Sequence, residues 1–194
     1  ISTPLAFGDK EPYPYDIAKA KKLMADAGYA SGFEVSCMAL AGNVDDVAQL
    51  SAIQQMWSQI GVRLKIDAAE WALMQKKMDE KQFDAFTGGW GLSWDPDPYQ
   101  LWHSSQADIP MGSNRVGFRN KEADTIIETL RVTFDRDERV RLLRRFHAIL
   151  HDEQPYTFFR TPEAVACWWD EVRRVEFSKV RPEAMSLPWW IETR

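Results

Sequence analysis

FEVSCMALAGNVDDVAQLSAIQQMWSQIGVRLKIDA, residues 33–68, changes its apolar period twice. Phe33, Val35, Cys37 and Ala39 alternate with more polar neighbours, the period of two that marks a strand. Gly42-Asn43 breaks the pattern, and the spacing then widens to a helical one on Val44, Val47, Ala48, Ile53, Met56, Trp57 and Ile60. Gly61 stops the helix, after which Val62, Leu64, Ile66 and Ala68 alternate again on one face of a second strand. Upstream, Asp16 caps a helix carrying Ala20, Leu23, Met24 and Ala27, and Gly28 ends it. Downstream, EWALMQKKMDEK reads as a helix and FDAF, from Phe83, as a third strand. Strand, helix, strand, helix, strand at this spacing predicts a βαβαβ unit with right-handed crossovers.

The second half is more helical. Asn120 is placed to cap a helix on Ala123, Ile126, Ile127, Leu130 and Phe134, and Asp135 with Glu138 has capping-box spacing for a further helix to about His151. Gln154-Pro155 ends it, and YTFFR and AVACWW read as strands. From Asp170 on the periodicity is weak. The fold class expected is α/β, a mixed sheet with flanking helices, in one compact lobe over residues 1–169 and a tail over 170–194.

Composition narrows the function. A net charge of −5 and a basic run, Arg131 to Arg145, interleaved with Asp135, Asp137 and Glu138 argue against nucleic acid as a partner. No apolar run has the length of a bilayer span. The opening, ISTPLAFGDKEPYPYD, lacks the basic and apolar regions of a signal peptide and reads as the middle of a longer chain. Cys37 and Cys167 read as two buried small hydrophobes rather than a bridge.

Catalytic patterns are weak. His147 and His151 stand four apart on a predicted helix, but Ala148 occupies the place where a zinc protease of that spacing has its glutamate, and no third ligand is evident. They read as surface or half-buried histidines, with no metal and no cofactor. Asp95 and Asp97 follow a strand as the acids of a carboxylate- or metal-dependent hydrolase would, yet residues two apart in extended chain point to opposite faces. Three glycines precede them instead of a solid apolar strand.

The aromatics carry more. FDAFTGGWGLSWDPDPYQLW, residues 83–102, sets Trp90, Trp94, Tyr99 and Trp102 among Gly88, Gly89 and Gly91, and nine tryptophans in 194 residues is a high number. Core packing is the ordinary fate of a tryptophan. Against it, the glycines bare backbone groups to which an extended ligand adds as a strand, with indole rings walling pockets for its side chains. The candidate ligand-binding residues are Gly89, Trp90, Gly91, Ser93, Trp94, Asp95 and Asp97.

The order of these motifs resembles a known family. YDIAKAKKLMADAGY, FEVSCM, AIQQMWSQIGVRLKID, KQFDAFTGGW followed by an Asp-Pro, VGFRNKEADTIIE and FDRDERVRLLRRFHAILHDEQPYTFF follow one another, over roughly residues 4–169, as in the C-terminal lobe of the extracellular solute-binding proteins, family 5, the peptide, oligopeptide and nickel binders of ABC importers. The resemblance implies a type II periplasmic-binding-protein-like lobe, one of two that close on a ligand. It implies that GGWGLSWDP lines the cleft, offering backbone to a peptide. Many members place an aspartate three residues after the tryptophan, against the peptide's free amine; this chain has Ser93 there. Serine gives no charge-assisted pair with an ammonium group, so a modified peptide or another small solute enters the range of cargo.

The reading is a non-catalytic, monomeric substrate-binding component of an ABC importer. It works with membrane permease subunits, either in the periplasm or lipid-anchored outside the cytoplasmic membrane. The alternatives are the hydrolase on Asp95 and Asp97, and a receptor domain whose Trp-rich surface binds a protein.

Overall fold

The computed structural model describes residues 13–91, 97–159, 167–177, 184–185 and 190–191. The chain divides into two compact units, the larger formed by residues 9–90 and 98–132 and the smaller by residues 1–8, 91–97 and 133–194.

The larger unit begins with α1 (Ile17–Asp26), whose cap Asp16 accepts from the N–H of Lys19 and which ends before Gly28 at φ +86°. Then come β1 (Phe33–Leu40), α2 (Val44–Ser58), β2 (Val62–Ala69), α3 (Trp71–Asp79) and β3 (Ala85–Phe86). All three strands are parallel in the order β2-β1-β3, with Phe33 opposite Val62, Leu40 opposite Ala69, and Cys37 opposite Ala85. The expected βαβαβ unit is present. Crossovers that run first to one side of β1 and then to the other put α2 and α3 on opposite faces. Two separate apolar clusters match that arrangement. Cys37, Ala39 and Leu64 pack with Leu50 of α2, and Met38 and Ala69 pack with Met74 and Met78 of α3.

That sandwich corrects the alternation read from β1. Met38, one of the supposedly polar-side positions, is buried because a central parallel strand is covered on both faces. β3 is also shorter than its sequence implied. The N–H and hydroxyl of Ser36 in β1 both donate to the Asp84 carboxylate, at 2.8 and 2.7 Å, where a longer β3 would have offered a backbone carbonyl. Those two bonds, the backbone one foremost, hold the Asp84 carboxyl below its usual pKa.

After β3 the larger unit continues through α4 (Tyr99–Trp102), a 3-10 turn at Ser104–Gln106 and α5 (Lys121–Val132). Asn120 caps α5 through Ala123 N–H, and Ala123, Ile126, Ile127 and Leu130 are buried as the spacing predicts. Phe134 is not part of that helix and is 94% exposed. The Arg139 guanidinium takes the Thr133 carbonyl, and Asp135 opens the next helix at once. Between α4 and α5 the fully buried Asn114 ties a loop together. Its side chain donates to the carbonyls of Phe118 and His103 and accepts from Phe118 N–H.

In the smaller unit α6 (Arg136–Glu153) starts on Asp135, which accepts from Glu138 N–H, and stops at Gln154 in the left-handed conformation. The Glu138 carboxylate engages Arg141, three residues on, instead of turning back toward the cap. Residues 156–159 and 167–169 are not strands, contrary to their alternation: a strand needs a ladder partner, and among the described residues neither has one. Pairing comes in the tail, in two short antiparallel ladders, β4 (Val172–Arg173) with β7 (Trp190–Ile191) and β5 (Glu176–Phe177) with β6 (Ala184–Met185). Both cysteines are free thiols; Cys37 is buried, which raises its pKa to about 11, whereas Cys167 is exposed, not buried as its apolar surroundings suggest.

Candidate functional site

Open parallel sheets bind ligands beyond the carboxyl ends of their strands, where the strand order reverses direction. Here β1 is central, with its two successors on either side, so the reversal falls between β1 and β3. The segment leaving β3 at that point is Thr87-Gly88-Gly89-Trp90, the start of the glycine- and tryptophan-rich stretch.

Thr87 fastens the segment to the crest of the sheet. Its N–H donates to Met38 O at 2.8 Å, one bond beyond the strand, and its hydroxyl donates to the carboxylate of Asp46 in the first turn of α2 at 2.8 Å. Beyond Thr87 the chain is exposed through Gly88, Gly89 and Trp90. Among the described residues nothing hydrogen-bonds to the backbone of Gly88 or Gly89. Nor does this unit demand glycine at 89. Its φ lies outside the left-handed region, and an added Cβ would meet nothing within 4 Å. The missing side chain leaves backbone open to whatever lies outside.

The aromatics of the stretch divide between two fates. Trp102 is core: it is 1% exposed, edge-on to Phe118 at 5.6 Å. Tyr99 is half-buried and stacks on His103 at 4.3 Å, with the Arg131 guanidinium over its ring at 4.6 Å. Trp90 is 42% exposed. Beside it stands Trp71, the first residue of α3 and 48% exposed, and Arg115 lies over both indoles, 5.6 Å from the Trp71 ring and 5.7 Å from that of Trp90. The sequence pattern places neither Trp71 nor Arg115 here. A tryptophan opening a helix right after a strand is the one available signal for Trp71; Arg115 carries none.

Of the residues singled out from sequence, the structure brings Gly89 and Trp90 together on the crest. Gly91 and Asp97 are exposed and belong to the smaller unit. Ser93, Trp94 and Asp95 lie outside the described residues. His147 and His151 on α6 are half-buried, the latter with Nδ1 at 3.1 Å from Asp152. Among the described residues no three His, Cys, Asp or Glu side chains gather as metal ligands would. The cavity beside Arg115, lined by Met78, Asp79, Lys81 and Met111, holds about 30 Å³, room for a water and not for a solute. The crest is an open wall.

Comparison with known proteins shows the family. Residues 2–110 match the family model described as bacterial extracellular solute-binding proteins, family 5 Middle. The oligopeptide-binding protein AppA of Bacillus subtilis is 27% identical over 94% of this chain and 36% of its own length. The dipeptide-binding protein of Escherichia coli is 30% identical over 76% of this chain and 28% of its own. In structure, the periplasmic binding protein DppA of Helicobacter pylori, solved with the peptide STSA, superposes with a TM-score of 0.71 at 27% identity, covering 79% of this chain and 31% of that one. The chain thus spans about a third of the length of these relatives. The lobe is a periplasmic-binding-protein fold, and the relatives are named for binding, which gives the hydrolase alternative no support. No helix among the described residues is long and apolar enough to cross a membrane. The family match covers more than half of the sequence, and the chain belongs to the bacterial extracellular solute-binding proteins, family 5.

Proposed function

We propose that this chain is one lobe of the substrate-binding component of an ABC importer, and that it holds a peptide or a related small solute without transforming it. In this reading the lobe spans residues 1–169, with 170–194 returning toward the other lobe. The protein acts as a monomer, in the periplasm or lipid-anchored outside the cytoplasmic membrane, and delivers its cargo to permease subunits. One observation carries the reading: bare glycine backbone and an exposed tryptophan stand at the switch point of a parallel sheet. An extended ligand that pairs with Gly89 and rests a side chain against Trp90 suits that arrangement, and Gly91 is counted with them as a ligand-binding residue. The proposal also counts Ser93, Trp94, Asp95 and Asp97 among the ligand-binding residues.

Two replacements test it by calorimetry with an equimolar tripeptide library on the full-length protein. Trp90→Ala should weaken binding by about 1–3 kcal/mol, the range of an anchoring aromatic, with little change in melting temperature because the ring is half in solvent already. Gly89→Ala has room and an ordinary φ in this unit, so it should leave stability unchanged while its methyl obstructs the ligand, lowering affinity about tenfold. Normal binding by both variants would remove the crest from the site.

A third replacement addresses Ser93. Ser93→Asp places a carboxylate where the family resemblance implies one against a peptide's amine. It should raise affinity about tenfold for tripeptides with a free N-terminus, the lower range of a hydrogen bond to a charged group. N-acetylated tripeptides should show no gain. Equal gains for both would place the residue away from the amine.

A further inference from the structure

Arg115 has no ion-pair partner among the described residues, whereas its neighbour Arg119 engages Asp108. Charge pairing does not explain where its guanidinium sits. What surrounds it is soft: the rings of Trp71 and Trp90 at 5.6 and 5.7 Å, and the Met78 sulfur at 3.2 Å from one guanidinium nitrogen. Both ring distances fall inside the range over which a cation is held by an aromatic face. Trp71 and Met78 stand near the two ends of α3, Trp90 in the loop after β3, and Arg115 itself in the loop before α5. Arg115 ties its own loop to the other two segments.

The base of that side chain is itself held. Lys81 Nζ donates to the carbonyls of Asn114, at 3.2 Å, and of Arg115, at 2.8 Å. Lys81 sits at φ +56°, a conformation that lysine seldom adopts, just after α3. Its pKa is lowered, first by burial. Asn114 is 1% exposed and anchored by three hydrogen bonds to His103 and Phe118. The Asp79 carboxylate accepts from Met111 N–H and fixes the far side of the same loop. So the guanidinium extends from a backbone tied by hydrogen bonds, toward a tryptophan whose preceding Gly88 and Gly89 make none among the described residues. Among the described residues of this segment, Thr87 is the last one hydrogen-bonded to the sheet.

We infer that Arg115 is a positioning residue for the ligand wall: with Trp71 on its other side, it holds the Trp90 indole in place before ligand arrives. The inference rests on the proposed role of Trp90 in the site. A wall preset in this way spares the ligand the ordering of a mobile indole. Arginine suits the task because its flat, weakly hydrated cation stacks on aromatic faces, which the more strongly hydrated lysine ammonium does less well.

The test uses the full-length protein labelled with 5-fluorotryptophan, the Trp90 and Trp102 resonances being assigned from Trp90→Phe and Trp102→Phe. In the ligand-free protein, Arg115→Met should shift or broaden the Trp90 signal and leave that of buried Trp102 in place, and Arg115→Lys should restore part of the shift. Binding of the equimolar tripeptide library, read by native mass spectrometry, should fall about fivefold to twentyfold in Arg115→Met. In a Trp90→Ala background the same change should cost less than twofold, because the ring it positions is gone. An unchanged Trp90 signal in Arg115→Met overturns the inference, as does an equal loss of binding in the two backgrounds. If Trp90→Ala itself binds as tightly as the parent, the proposed site fails, and the positioning role goes with it. If the parent binds no tripeptide, the peptide reading falls, and the fluorine spectra alone decide whether Arg115 holds Trp90.

Discussion

Residues 1–194 on their own are expected to bind tripeptides at least about a thousandfold more weakly than the full-length protein, while remaining folded. The first half of that statement follows from the geometry of the crest. Gly88 to Trp90 are exposed, and the cavity beside Arg115 admits no more than a water. A micromolar complex has a net binding free energy of about −8 kcal/mol. Association itself costs at least about 4 kcal/mol, so the contacts supply roughly 12 kcal/mol or more. If a second lobe supplies the facing wall, as proposed, its absence takes about half of those contacts while the translational and rotational cost stays almost whole, leaving about −2 kcal/mol, weaker than millimolar. The second half follows from the core. Clusters on both faces of β1, together with the buried stripe of α5, give the larger unit an interior of its own. Calorimetry of both proteins with the same library, beside urea unfolding of the short one, checks both halves. Similar affinities would mean that the site is self-contained within this chain.

The second large effect is on stability, at a position remote from the crest. Gly32→Ala should cost about 3–5 kcal/mol, in the rare upper tail for a single substitution. Gly32 has φ +76°, and a Cβ on it would lie 1.9 Å from the carbonyl oxygen of Gly61 and 2.6 Å from its carbonyl carbon. The obstacle is backbone on both sides, so no side chain is free to turn aside. Phe33 and Val62, the next residue after each glycine, are the first paired positions of β1 and β2, so relief of the clash would have to pull the ladder apart at its start. Neighbouring glycines calibrate the claim. Gly61→Ala combines a positive φ with a contact of 3.2 Å and should cost less. Gly28→Ala has a positive φ but open space, and should cost about 1 kcal/mol, the strain term alone. Urea titrations should rank the three as Gly32, Gly61, Gly28. Equal losses would show that the backbone conformation, and not the close approach, dominates.

How much of the fold is legible in the amino-acid sequence varies by element, and for physical reasons. The two long strands and α2 between them can be read because their apolar periods differ and because Gly42, Asn43 and Gly61 punctuate the changes. Helix starts are readable because a cap is local chemistry: Asp16, Asn120 and Asp135 each accept from an amide three residues on. Met38 escapes the strand alternation because its face is covered by α3, a helix more than thirty residues further along the chain. The described parts of the strands expected at YTFFR and AVACWW, residues 156–159 and 167–169, show the converse failure, since alternation marks a segment able to pair and does not supply a partner. At the candidate site, composition points to the glycines and Trp90. It does not point to Trp71 and Arg115, because a guanidinium held between indoles from two separate segments is a tertiary fact with no sequence period.

The central claim, that the loop leaving β3 is a ligand wall, is tested most directly by hydrogen exchange of the full-length protein with and without a saturating tripeptide library. Peptide backbone pairing with the bare glycines should slow amide exchange at residues 88–91, while the amides of α1, which leads into the opposite end of β1, keep their rates. A protein that binds the library with no change at residues 88–91 would contradict the account.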